Sequence, residues 1–192
     1  MDYYCGGERV MITKNFMALV ALMLQSNGPN SVVGFLPAKR TNGNTIYLGP
    51  RFGNYSFPVS VSAEGALSVH ALGIHVGSGN TPPTTDDYTL ESPITSGLSF
   101  SAITKNFDAD DNGNPFVELL FTVTNTSENT ITIREISYVQ GVSFSSAKGG
   151  NVNVNANSAF ITLDRTVLDE PIIIPVSGSA DIRYVLKTIL PT

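Results

Sequence analysis

A chain of 192 residues, 42% hydrophobic and 14% charged, suits one domain with an appended arm and excludes a disordered protein. A formal charge of -5 and a pI near 4.9 exclude a phosphate-backbone partner, because nucleic-acid binding depends on clustered Lys and Arg. The single cysteine, Cys5, forms no internal disulfide and suits a protein made in a reducing cytoplasm.

In chain order, Thr13 is placed to cap a helix over about 14–25, which Ser26-Asn27-Gly28-Pro29-Asn30 would end. Its apolar run Phe16 to Leu24 falls short of the ~20 residues of a membrane span. No A-x-A site follows it, and Asp2 and Glu8 dilute the charge ahead of it, so a signal peptide and membrane insertion are set aside. A helix apolar around most of its girth needs cover on more than one side, so it either lies under its own sandwich or is clasped between subunits. Phe16, Leu19, Val20, Leu22 and Met23 are therefore the candidate oligomer-interface residues. Asn42-Gly43 then predicts a hairpin, since both residues tolerate positive φ. Residues 1–55 read as an arm with helix and hairpin, and residues 56–192 as a β-sandwich.

Strands are predicted at Ser56 to Ser62, Ala66 to Val76, Leu98 to Phe107, Phe116 to Asn125 and Thr130 to Val139, then Ala159 to Leu163, Ile172 to Val176 and Ala180 to Leu190. Phe121 and Val123, Ile131 and Ile133, and Ile182, Tyr184 and Leu186 keep a period of two, with one face inward and one wet. The fold class expected is all-β, an Ig-like or jelly-roll sandwich with a short N-terminal α-helix and an extended arm. Asn151 to Asn157 alternates Asn with Val and Ala and reads as an edge strand or exposed ribbon.

Several groupings invite a chemical reading. Asp108, Asp110 and Asn112 match the opening of a calcium loop, but the twelfth position is Leu119 and the flanks read as strands, so an acidic turn is favoured over a metal site. Val76-Gly77-Ser78-Gly79 resembles the start of a phosphate-cradling loop, without the third Gly, the Lys or the following helix. Residues 77–95 read instead as a long ordered crossing loop. His70 and His75, five apart on one predicted strand, point to opposite faces and do not share a metal. Glu91, Glu118, Glu135 and Asp164 are the carboxylates that glycoside cleavage would draw on, and Glu118 and Glu135 are more often solvent-facing or paired with Arg134 or Arg183 than catalytic. No catalytic residue, cofactor or metal is assigned.

The stretch Val76-Gly77-Ser78-Gly79-Asn80-Thr81-Pro82-Pro83-Thr84-Thr85-Asp86-Asp87-Tyr88-Thr89-Leu90, followed by Pro93 to Leu98, resembles a signature of structural proteins of tailed bacteriophages of the gut-phage type. The resemblance continues through Phe121 to Ser127, Ile131 to Ile136, Leu163 to Leu168 and Ile182 to Lys187, about two thirds of the chain. Met11-Ile12-Thr13-Lys14-Asn15-Phe16 is similar to a start found in such proteins, so residues 1–10 read as an extension or alternative start.

The resemblance implies a virion part, synthesised and assembled in the host bacterial cytoplasm, whose partners are copies of itself and other virion proteins. A tail, neck or baseplate appendage stands ahead of a capsid decoration protein or head fibre. A second class of function is a module whose loops 77–95 and 145–157 bind a host-surface glycan. A third, a glycan-cleaving enzyme, would need two carboxylates facing one cleft. The expectation is a non-enzymatic structural protein.

Overall fold

A computed structural model describes residues 2–4, 11–17, 36–48, 73–109, 111, 115–148 and 151–187. Two sheets account for most of it. The first runs β1 (Asp2–Tyr4), β11 (Ser179–Lys187), β8 (Pro115–Asn125) and β6 (Leu98–Phe100), with β7 (Thr104–Ala109) also on β8. The second runs β2 (Met11–Ile12), β10 (Asn151–Ile174), β9 (Ile131–Lys148) and β5 (Gly73–Gly77). A separate hairpin joins β3 (Leu36–Lys39) to β4 (Thr45–Leu48). The β1–β11 pair is parallel, and the other pairs are antiparallel.

Alternation along each strand makes the sandwich. On β8, Leu119, Phe121 and Val123 are buried while Thr122 and Thr124 are half-buried on the other face. On β11, Ala180, Ile182 and Tyr184 face inward beside them. Ile74, Val76, Ile133, Ile136, Leu168, Ile172 and Ile174 supply the facing layer from the second sheet. Each fully buried side chain of this size contributes roughly 1.5–3 kcal/mol, which is why the β-branched and aromatic residues set the register. The chain is an all-β sandwich, as its periodicity implied.

Two differences from the predicted strands have local causes. The segment Leu98 to Phe107 is two strands, because Ser101 takes over the pairing with Thr122: its amide donates to Thr122 O at 2.9 Å, and its hydroxyl accepts from Thr122 N–H at 2.8 Å. Ala159 to Leu163 and the Ile172 to Ile174 part of the predicted Ile172 to Val176 merge into the 24-residue β10, which ends before Val176, with Pro171 in the register shift between Val167 and Ile172. A proline without an N–H is tolerated in such a bulge. The alternating Asn151 to Asn157 lies in the same strand.

Helical geometry is described for residues 14–17, and the rest of the predicted helix lies outside the described residues. Thr13 stands at its start but does not cap it through its side chain. The hydroxyl donates to Thr162 O at 2.7 Å and Leu163 O at 2.9 Å on β10, while its carbonyl accepts from Phe16 and Met17. The predicted strand at Ser56 to Ser62 also lies outside the described residues. The predicted hairpin turn is present, with Gly43 at φ +83°.

Candidate functional site

The segment after β5 leaves the second sheet for β6 in the first, and on the way it covers the outer face of β9 and β10. What holds it there is a carboxylate. Glu135, opposite Gly77 on β9, is wholly buried and its two oxygens accept four bonds. Oε1 accepts from Gly79 N at 3.1 Å and Ser92 N at 2.8 Å; Oε2 accepts from Glu91 N at 3.0 Å and Arg165 Nε at 2.8 Å. The Gly-x-Gly turn is therefore an anion cradle whose anion is internal. A Cβ on Gly77 would lie 2.7 Å from Ser92 O, and one on Gly79 would lie 2.7 Å from Glu135 Oε1.

Arg165, from β10, gathers the rest. Its Nη1 donates to Asp87 Oδ2 at 2.9 Å, and its Nη2 lies 3.8 Å from Glu91 Oε2. Burial raises the Asp87 carboxyl, but the Thr84 amide, Arg165 and the Thr84 hydroxyl outweigh it and hold the group below its ordinary range. Glu91 is also lowered, first by the side chain and backbone of Thr81 and then by Asn80 and Arg165. Arg165 itself is raised: burial opposes its charge, and Asp87 and Glu135 more than offset that.

The amino-terminal segment and the hairpin fasten onto the same loop. Lys14 N donates to Thr85 O at 2.9 Å, Thr162 Oγ1 donates to Tyr88 O at 2.7 Å, and Lys39 Nζ sits 4.4 Å above the Tyr88 ring. Asn15 bridges three elements, donating to Lys39 O at 2.8 Å and Thr162 O at 3.2 Å and accepting from Lys39 N at 2.7 Å.

The first sheet carries a second polar surface on its outer face. Where the edge pairing is interrupted at Ser101 to Ile103, a groove of about 580 Å³ opens, floored by Leu120 and walled by Ser101, Thr104, Glu118, Thr122, Asp181 and Arg183. Glu118 accepts from Asn106 Nδ2 at 2.8 Å and is paired with Arg183. Asn106, against the opposing effect of burial and with the help of Arg183, holds the Glu118 carboxyl below its ordinary range. Thr122 Oγ1 donates to Asp181 Oδ1 at 2.6 Å.

The residues singled out in the sequence are scattered among these settings. Of the four carboxylates, Glu91 and Glu135 meet at Arg165, Glu118 lies on the first sheet, and Asp164 faces the core with neither oxygen in a hydrogen bond of ordinary geometry among the described residues. Glu118 takes Arg183 as expected, whereas Glu135 takes Arg165 and Arg134 is exposed. Phe16 is half-buried, and Leu19, Val20, Leu22 and Met23 lie outside the described residues. Asp108 is exposed and accepts from the Ala109 amide; Asp110 and Asn112 lie outside the described residues. His75 is buried on the loop-covered face, and His70 is outside the described residues. Among the described residues no His, Cys, Asp and Glu cluster suits a metal ion, and no helix is long and apolar enough to cross a membrane.

Sequence reasoning missed Arg165, Asp87 and Asn125. The last is buried at the far end of the sandwich, where its Nδ2 donates to Asn129 O, Ile174 O and Pro175 O. A signal for the Glu135 cradle was present, since a glycine pair with backbone donors and no lysine nearby asks for an anion from elsewhere in the chain; Arg165 enters as the counter-charge of that anion, which no local pattern marks. Comparison with known protein families, characterised proteins and solved structures finds no match to this chain.

Proposed function

We propose that this chain is a structural protein of a bacteriophage virion, a non-catalytic subunit that assembles with copies of itself or docks on neighbouring virion proteins as a tail, neck or baseplate appendage. The observation that carries the reading is the reach of β9 and β10. Past the last β5 contact at Val139, they continue as a two-stranded ribbon, with Val142 opposite Ala159 and Lys148 opposite Asn151. Among the described residues no third strand pairs with that ribbon, and the β3–β4 hairpin touches its base, through the Thr41 N bond to Phe160 O at 3.0 Å. A two-stranded ribbon is marginal alone in water, and its open edges are templates for another chain. A neighbouring subunit supplies what it lacks, and closed symmetric assembly is the usual outcome for such self-complementary surfaces. The resemblance of the 76–98 segment and the later strands to virion proteins supports the biological setting.

Light scattering on the purified full chain tests assembly. A stable oligomer is expected, and replacing residues 142–158 by a short glycine turn should reduce it to a monomer that keeps its β-sheet circular dichroism. A strict monomer of the full chain at high concentration overturns the assembly reading. Gold labelling of intact particles in electron micrographs tests the virion setting, which fails if purified particles carry none of the protein.

A further inference from the structure

The outer face of the first sheet is the polar surface that the assembly reading does not use. Its groove, about 580 Å³, is within the size range of small-ligand sites. The opening is a fixed feature: the break at Ser101 to Ile103 is held by the two Ser101–Thr122 bonds, so β6 and β7 part at a defined place. The wall groups are also fixed in advance. Glu118 is clamped between Asn106 and Arg183, and Asp181 is oriented by Thr122. Side chains held by their neighbours lose little freedom when a ligand arrives.

We propose that this groove binds a neutral oligosaccharide. Adjacent sugar hydroxyls are donors and acceptors in close pairs, and the groove presents planar partners for both roles, the Asp181 carboxylate and the Arg183 guanidinium. A carboxylate has about four acceptor sites, so one bond from Thr122 leaves Asp181 capacity for sugar hydroxyls. Thr104 adds an exposed hydroxyl, that of Ser101 being engaged with Ala102 O and Thr122 N–H, and half-buried Leu120 offers a small apolar surface for the C–H face of a ring. The charge selects against other ligands. Glu118 and Arg183 cancel, Asp181 leaves one negative charge, and an acidic sugar is repelled. A wholly apolar ligand would desolvate Asp181 and Arg183 without replacing their water. Phe121, the aromatic residue in the lining, is buried in the core and offers no ring as a platform, so each site is weak, and many copies on one particle would raise the effective affinity.

Saturation-transfer NMR on the full-length protein with maltotriose, cellotriose and mannotriose at millimolar concentration, with sialyllactose as the acidic comparison, tests this. At least one neutral trisaccharide should receive saturation, and Asp181→Ala and Thr104→Ala should each weaken binding, Asp181→Ala about tenfold, with circular dichroism unchanged. Loss of transfer from every neutral sugar, a preference for sialyllactose, or Asp181→Ala binding as tightly as the parent overturns the proposal. Because the readout works on monomer and oligomer alike, an assembled protein that binds no sugar refutes this inference and leaves the assembly reading standing.

Discussion

Asp164 and Arg165 are consecutive residues of β10, both buried, and they face opposite sides of the same sheet. Arg165 turns toward the 78–97 loop and finds carboxylates from Asp87, Glu91 and Glu135. Asp164 turns toward the core, opposite Tyr138, and among the described residues neither oxygen has a hydrogen bond of ordinary geometry, the Tyr138 backbone giving only weak support. On other inward-facing positions Thr166 Oγ1 and Tyr184 Oη are also without hydrogen-bond partners among the described residues, and on the loop-covered face so are Ser137 Oγ and Arg165 Nη2, the latter 3.8 Å from Glu91 Oε2. Burial pushes the Asp164 carboxyl up to about 8, with the Tyr138 backbone offsetting only a part. Desolvation acts on both groups alike. The difference is that one side was given a layer of polar chain and the other a layer of isoleucine and valine, and only the polar layer allows a charge to be kept.

Breaking the charge-paired side should have the largest effect. Arg165→Leu leaves Glu135 a buried carboxylate without its cation, and loss of one member of a buried pair typically costs about 3–5 kcal/mol. The urea midpoint should fall accordingly with the slope unchanged. Adding Glu135→Leu should not restore stability, because Gly79, Glu91 and Ser92 would then lose the acceptor for their amides. Full recovery in the double variant would show that the loop does not depend on that carboxylate.

Relieving the unsatisfied side should move stability in the opposite direction, and with pH. The carboxyl titrates near 3.8 when unfolded and at about 8 when folded. Between those values the unfolded state has released a proton that the folded state keeps, so this group's contribution is intact in acid and declines as pH rises through that window. Asp164→Asn should therefore match the parent near pH 4 and exceed it by about 2–4 kcal/mol at pH 7. Asp87 and Glu91 act in the reverse sense: their lowered carboxyls stabilise above the ordinary carboxylate range, and that contribution is lost as pH falls through it. Melting temperatures of both proteins across pH 4 to pH 9 check the slope. Parallel curves would refute the assignment of a protonated carboxyl in the core.

The sequence made the sheet layers legible wherever period two was clean, as on β8 and β11, because a one-residue slip there would turn Phe121, Val123 and Ile182 out to water. It also marked the glycine pair and the Asn42-Gly43 turn, whose geometry is local. It did not reveal that Glu135 sits under Gly79, since the two are 56 residues apart and joined only by the β5–β9 register. Nor did it separate Asp164 from Arg165: one strand carries both faces, and what covers each comes from distant segments. The glycine pair tests this join of local and distant. Gly77→Ala would place a methyl against Glu135 and 2.7 Å from Ser92 O, which are both fixed by their own bonds. A destabilisation of about 1–3 kcal/mol is expected, as for other overpacked sites. An unchanged urea midpoint would mean that the loop can lift without loss.

The smallest effect should come from the ion pair that most resembles the network and lies outside it. Asp86 is the neighbour of Asp87, and Lys14 Nζ approaches its Oδ1 to 2.6 Å, but the two side chains are 67% and 72% exposed. Water competes for both charges there, and the long lysine chain must be ordered to make the contact. Exposed pairs of this kind contribute below about 1 kcal/mol and weaken in salt. The backbone bond from Lys14 N to Thr85 O does not depend on the side chain and persists in a Lys14→Ala variant. The variant should therefore unfold within about 0.5 kcal/mol of the parent, and the difference should vanish in high salt. A larger, salt-resistant loss would mean that Asp86 shares the screened environment of Asp87, and that the buried network extends to the surface of the loop.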